Sequence, residues 1–233
     1  LEIIDSVFED STKCAIYSRY YTYSNYPERP HTITLRNVEI YNCRIGVNVD
    51  SCSLYMYDCK IKGTTVEQSI YYYTYFGTLL HMENCDISST KATYAVHIAG
   101  GQYSTAWSKN VYIYNCNFSN NKYGSFKSDT GSVNIYVTNS VFDKTSGSPI
   151  NGYQYSSICT DTTCLIYLSG KVIIDAAVYI APNNYNLRIN DNLEAGSNIR
   201  IFLNRGGASA NYVAYATDVS WITSSIQYIH ADG

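Results

Sequence analysis

Charge is scarce in this chain. Of its 233 residues only 15% are Asp, Glu, Lys or Arg, and the formal net charge is −3. Binding a phosphate backbone takes a concentrated basic stripe, so nucleic acid is not an expected partner. Long apolar runs are missing as well. No stretch of about 18 apolar residues occurs, and no membrane-spanning helix is expected. Proline (4), tryptophan (2) and methionine (2) are rare. Lys and Glu, which usually cover helix surfaces, are sparse beside Ser, Thr and Asn, and this tilts the composition towards strands. No leader peptide, anchor motif or tag is evident. No GxSxG, HExxH, P-loop or dinucleotide fingerprint occurs. The chain opens on "LEIID", already inside a repeat, and is expected to be a mature product or a fragment of something longer.

Two things are abundant. Hydrophobic residues make up 45%, enough for a buried core, and 26 of the aromatic residues are tyrosine. The order of the residues is also repetitive. "IYNCRI" at 40–45 returns as "MYDCKI" at 56–61, "MENCDI" at 82–87 and "IYNCNF" at 113–118, and with serine as "IIDSVF" at 3–8 and "VTNSVF" at 137–142. Repeats of this kind signal stacked architecture. Aligned on the Cys or Ser, apolar residues stand three places before it (Ile3, Ile40, Met56, Met82, Ile113, Val137) and two after it (Phe8, Ile45, Ile61, Ile87, Phe118, Phe142). Val38, Leu54, Leu80, Val111 and Ile135 stand five places before. The period of two is that of a strand, and it slips by one at Asp5, Asn42, Asp58, Asn84, Asn115 and Asn139. Such a slip turns every side chain over unless the chain bends, and Asn and Asp tolerate the left-handed backbone that a bend requires. Each copy therefore reads as strand, Asx corner, strand. A second apolar position follows at Ile16, Ile70, Val96, Phe126 and Ile150, with Val47 and Val49 serving a compressed copy.

Stacking of such units gives a parallel β-solenoid. The phrase resembles the coil repeat of right-handed parallel β-helices in the pectin-lyase-like superfamily, and in flavour bacterial adhesin-like surface proteins. The resemblance covers residues 1–150 and implies a ladder of Asn42, Asp58, Asn84, Asn115 and Asn139 at a bend. From 151 to 233 short alternating runs ("LIYL", "KVIID", "NIRIFL") are expected to continue one all-β domain spanning 1–233. That scaffold hosts lyases, glycosidases, tailspikes and adhesins, so it implies little about activity.

Cys43, Cys59, Cys85 and Cys116 lack the spacing of a zinc site, and Ser replaces Cys in two copies. They are expected to be buried, unbridged thiols in one column. Cys159 and Cys164 bracket the polar "CTDTTC" and are the disulfide candidate, which would suit an oxidising setting. Cys14 and Cys52 fall at no expected position. His31, His81, His97 and His230 share no repeat position and read as surface or loop histidines. Glu39, Glu83 and Asp86 are the outward carboxylates open to glycoside chemistry, which needs a pair in different protonation states; they fall on different copies with no basic residue expected beside them. Asn117–Ser119 is a formal glycosylation sequon set in an expected corner. No metal or cofactor is expected.

Tyrosine carries the remaining pattern. Tyr55, Tyr112 and Tyr136 stand at one outward offset of the repeat, and Tyr41, Tyr57 and Tyr114 at another. Together they predict a stripe of stacked rings on one face. More tyrosines fill the inserts that follow the second strand. A solenoid also has open ends whose backbone must be covered, so head-to-tail self-association, or cover by neighbouring segments of a longer chain, is expected. The sequence thus favours a secreted or cell-surface structural and adhesive module, the alternative being a carbohydrate-active enzyme or glycan-binding domain.

Overall fold

The alternating segments all become strands. A computed structural model describes residues 1–19, 31–73, 78–91, 94–100, 109–129, 133–143, 158–160, 164–180, 187–203, 215–216 and 225–232. Among them the helical residues are Ser225, in α-helical conformation, and those of a 3-10 turn at Ile226–Tyr228. Every strand pairing among the described residues is parallel, and strands between the first and last rungs pair with one from the preceding and one from the following repeat. The arrangement is all-β and consistent with a solenoid-like coil.

Register turns the pattern into columns. On the first stack Ile3, Leu35, Met56, Met82, Ile113, Val137, Leu168 and Ile189 lie directly above one another. The second stack aligns Phe8, Ile40, Ile61, Ile87, Phe118, Phe142, Ile174 and Ile199. Ile16, Val47, Ile70, Val96, Phe126, Ile158, Val178 and Ile201 align on the third. Apart from Ile3 and Phe8 on the first rung, these side chains are buried, and they belong to one hydrophobic cluster. Burial stabilises each by about 1.5–3 kcal/mol. Inside the second stack Phe118 and Phe142 pack ring on ring at 4.8 Å and 5°. Ile158, not Ile150, stands opposite Phe126; Ile150 lies outside the described residues.

The corners work as the Asx pattern suggests, but there are more of them than one per copy. Asp5, Asn37, Asp58, Asn84, Asn115 and Asn139 have φ between 47° and 54°. Asp10, Asn42, Ser89 and Asn120, at φ 53–58°, turn a second corner, which Gly63 (φ 74°) also occupies. Ser51 turns a third at φ 60°. Side-chain amides link the first-corner column: Asn37 Nδ2 donates to Asp5 Oδ1 (2.8 Å), Asn84 Nδ2 to Asp58 Oδ1 (3.1 Å) and Asn115 Nδ2 to Asn84 Oδ1 (3.3 Å). Gly63 has to be glycine twice over, since its φ is positive and a Cβ would sit 2.7 Å from Asn42 Oδ1.

This corrects the alignment at "IYNCRI". Asn42 and Cys43 belong to the second corner, and the first-corner residues of that coil are Asn37 and Val38. Glu39 and Ile40 pair with Lys60 and Ile61, which puts Val38 level with Cys59. Cys43 instead lies level with Ser11 and Thr64. Only Cys59, Cys85 and Cys116 form the cysteine column, continued by Ser140 and Val172. The 16-residue interval from Cys43 to Cys59 is a step between different corners, not a compressed coil.

The interchange of Cys and Ser has a local cause. The residue after a left-handed corner is turned inward, and its side chain donates to the carbonyl two residues back. Cys43, Cys52, Cys59, Cys85 and Cys116 do so at 3.2–3.4 Å, and Ser6 and Ser140 at 2.8 Å. Cys52 thereby finds its place behind Ser51. The small donor adds a second hydrogen bond to a carbonyl that already accepts the backbone N–H of a neighbouring coil's corner residue, as Tyr41, Glu83, Tyr114 and Thr138 do from Asp10, Asp58, Asn84 and Asn115. Accordingly Cys85→Ser should leave stability within about 0.5 kcal/mol, whereas Cys85→Ala should cost about 1 kcal/mol. Asn84→Ala should cost roughly 1–2 kcal/mol for the left-handed backbone alone. Urea unfolding of the three variants beside the parent chain measures all of this, and equal midpoints for Ser and Ala would refute the donor role.

Candidate binding surface

Outward positions of the first stack collect the tyrosines. Register runs Thr34, Tyr55, His81, Tyr112, Tyr136, Tyr167 and Arg188 in one column. Beside it run Arg36, Tyr57, Glu83, Tyr114 and Thr138. Of the six expected stripe residues the structure brings five together. Tyr41 is the exception. It pairs with Glu9 and Lys62 on the second stack, where its hydroxyl donates to Glu39, and Arg36 takes its place beside Tyr57. Tyr167 is a further member, at the same outward offset of the first coil without an Asn-Cys phrase.

The column has two halves. In the upper half rings lie face to face, Tyr112 on Tyr136 at 4.8 Å and 12°, Tyr136 on Tyr167 at 4.6 Å and 11°. In the lower half His81 sits among Tyr55, Tyr57, Tyr112 and Tyr114 with ring centroids 5.3–6.2 Å away, all tilted. Its Nε2 lies 3.4 Å from Glu83, and the Arg36 guanidinium covers Tyr57 at 4.3 Å. Burial pushes the Tyr114 and Tyr136 hydroxyls above the usual phenol range, with neighbouring tyrosines adding to it. The face is therefore an aromatic strip that carries Glu83 between Tyr57 and Tyr114 and is bounded by Arg36 at one end and Arg188 at the other. Stacked rings cover one another's faces, so the strip offers ring edges and hydroxyls rather than open aromatic platforms.

A second surface cluster forms on the third stack, where no repeat rule marks it. His97 Nδ1 lies 3.1 Å from Gln68 Nε2, and its Nε2 lies 2.5 Å from Asp129 Oδ2. Lys127 Nζ meets Asp129 Oδ1 at 2.8 Å, and Tyr71 stands edge-on to His97 at 5.4 Å. The hydrogen bond from His97, with Lys127 beside it, holds the Asp129 carboxyl well below the usual carboxylate range. Both nitrogens of His97 are engaged within the cluster, which suits a fastening role.

The carboxylates are better accompanied than the sequence implied. Glu39, Lys60, Asp86 and Asn117 share one outward column of the second stack. Lys60 stands between the two acids, and the Tyr41 hydroxyl, with Glu39 and Asp86 adding to it, raises its ammonium above the ordinary lysine value. Glu83 lies on the tyrosine face instead. Asn117 is an exposed strand residue rather than a corner, and its Nδ2 donates to Asp86 Oδ1 at 3.2 Å.

Cys43, Cys52, Cys59, Cys85 and Cys116 are buried thiols. The adjacent Cys85 sulfur and burial push Cys59 up, and the Cys116 sulfur and burial push Cys85 up; burial raises Cys14 to about 11. Raised in this way, the Cys14, Cys59 and Cys85 thiols are poor nucleophiles and ligands, whereas the hydrogen bond with the Cys85 sulfur lowers Cys116; no group of three or more metal-binding side chains gathers among the described residues. Cys164 also carries a thiol, turned into the core with Sγ 3.4 Å from Ser128 Oγ. In this placement the Cys164 sulfur is unbridged; the side chain of Cys159, its expected partner, lies outside the described residues. No helix among the described residues is long and apolar enough to cross a membrane.

No known protein-family model matches the chain, nor does any curated protein or solved structure.

The Asp129 cluster makes a pH prediction. A carboxyl whose folded pKa is depressed contributes stability above its unfolded value of about 4, and the contribution is lost as pH falls through the folded value. Because the Asp129 side chain is 36% exposed, its share is below about 1 kcal/mol. Asp129→Asn should lower the thermal midpoint at pH 7 and flatten its decline below pH ~4; parallel acid limbs for the two proteins would show that the pair contributes nothing.

Proposed function

We propose that the chain is a secreted or cell-surface structural and adhesive module. In this reading it is a right-handed parallel β-helix of the pectin-lyase-like kind, with about six Asx-cornered coils followed by further short-strand coils. It associates head to tail through its solenoid ends and makes contacts through the tyrosine face. One observation carries the assembly part. Among the described residues, the strand Cys14–Arg19 pairs on one side only, with Ile45–Asp50, and Glu2–Glu9 likewise only with Thr32–Tyr41. Of the five exposed large apolar side chains among the described residues, four, Leu1, Ile4, Val7 and Tyr17, lie on that rung. A parallel edge with apolar side chains is a template for a further rung, supplied by another chain or by a neighbouring segment of a longer one. Its acids, Glu2, Asp5, Glu9 and Asp10, restrict which strands add to it. A head-to-tail contact of this sort is heterologous and generates open filaments. The extracellular setting rests on composition and on the resemblance of the repeat, without support from a Cys159–Cys164 bridge.

The enzymatic alternative draws on Glu39, Lys60 and Asp86. The two acids stand two rungs apart, roughly 10 Å by strand spacing, with a cation between them. Lys60, raised in pKa, stays charged at neutral pH and would act on an anionic sugar by charge rather than as a base.

Sedimentation at rising concentration, followed by electron microscopy, tests the assembly. The parent chain should form growing species and fibres, and Ile4→Lys with Val7→Lys should remain monomeric. A parent chain that stays monomeric and fibre-free at high concentration overturns the proposal. Release of reducing ends or unsaturated products from a polysaccharide panel, abolished by Asp86→Asn, would move the assignment to the enzyme.

A further inference from the structure

Tyr112, Tyr136 and Tyr167 are the closest-stacked tyrosines among the described residues, and their geometry goes beyond a contact surface. Register sets Tyr112 opposite Tyr136 and Tyr136 opposite Tyr167. The three side chains therefore leave equivalent points on successive rungs. The centroids are 4.8 and 4.6 Å apart and the planes within 12° of parallel, so a small rotation about the side-chain bonds brings the ortho carbons of neighbouring rings together. Other described tyrosine pairs lie farther apart, Tyr112–Tyr114 at 6.0 Å and Tyr71–Tyr73 at 6.5 Å. All three rings in the row are partly exposed, so an external oxidant can reach them.

We propose that this row is an oxidative modification site at which adjacent rings are coupled into dityrosine, covalently stapling neighbouring rungs. The co-reactant is a one-electron oxidant of the haem-peroxidase class, itself driven by hydrogen peroxide. Two phenols each give up one electron and one proton. The two phenoxyl radicals pair to form a carbon–carbon bond between ortho positions. The hydrogens on those two carbons then move as protons to the two oxygens, and both phenols are restored. Overall two tyrosines lose two hydrogens and one peroxide becomes two waters. Burial and the neighbouring rings hold the Tyr136 phenol above its usual range, so proton and electron leave together at neutral pH. Ordinarily the cost of such coupling is bringing two radicals into contact, and here the strand register has already met it. Because each staple joins residues 24 or 31 apart in sequence, it restricts the unfolded chain as a disulfide does. The inference is independent of the adhesive reading.

The test treats dilute purified chain with a haem peroxidase and hydrogen peroxide, isolates the monomer and maps its cross-linked peptides by mass. The expected product is a loss of two hydrogens joining Tyr136 to Tyr112 or Tyr167, with blue dityrosine fluorescence in the monomer and a raised thermal midpoint. Tyr136→Phe, which keeps the ring, should remove that intramolecular fluorescence, and so should Tyr112→Phe with Tyr167→Phe. Intramolecular cross-links that map to other tyrosines, or an absence of dityrosine in the parent monomer, would overturn the proposal.

Discussion

The left-handed corner is the constraint on which everything else depends. A strand that must bury alternate residues on both sides of a bend has to skip one residue at the bend, and skipping it without turning the strand over requires positive φ. Asn, Asp and Gly meet that demand at least cost. The corners of one coil lie over those of the next, so their side chains find each other. Asn amides donate to the Asp carboxylate or Asn amide of a neighbouring coil along the first column, and where the residue behind the corner is Cys or Ser it returns a hydrogen bond to the carbonyl in front of it. The core columns of Ile, Val, Leu, Met and Phe are held in register by these corners and supply most of the stabilisation through burial.

The same register governs the surface. Parallel strands in register put equal offsets above one another outside as well as inside, and the register shifts only between Leu168 and Gly170 and between Ile174 and Val178 among the described residues. A repeat that favours tyrosine at one outward offset therefore produces a column of rings spaced like the strands. Tyr112, Tyr136 and Tyr167 follow from that rule without any further device. Where the offset carries a different residue the column changes character, and His81 converts parallel stacking into a tilted cage. The outward columns on the other stacks hold charges instead, Glu39, Lys60 and Asp86 on one and His97 with Lys127 on another.

Much of this was legible in the sequence because corner and strand each leave a local signature. The Asx residues, the buried columns and five of the six stripe tyrosines could be read from spacing. The failure at "IYNCRI" is instructive. First and second corners impose the same demand on four or five residues, so the phrase at Ile40–Cys43 and that at Ile113–Cys116 are letter for letter alike while turning different corners. Only the neighbouring "LRNVEI", with Val in place of Cys, identifies the first corner of that coil. A rule of positive φ followed by a small inward donor would also have placed Cys52. The His97 cluster left no such trace, because Gln68, His97, Lys127 and Asp129 come from three different coils and obey no repeat. Lys60 between Glu39 and Asp86 was legible, since all three stand at outward offsets of aligned copies, but the shifted alignment hid it.

Sulfur positions test the central claim most directly. Anomalous scattering from crystals of the chain locates each sulfur without reference to the fold. Stacked corners predict that Cys59, Cys85 and Cys116 lie in a straight row at about the 4.8 Å strand spacing, with Cys43 off that row and behind a different bend. Sulfurs scattered without a common line, or Cys43 and Cys59 as adjacent members of one row, would contradict the account.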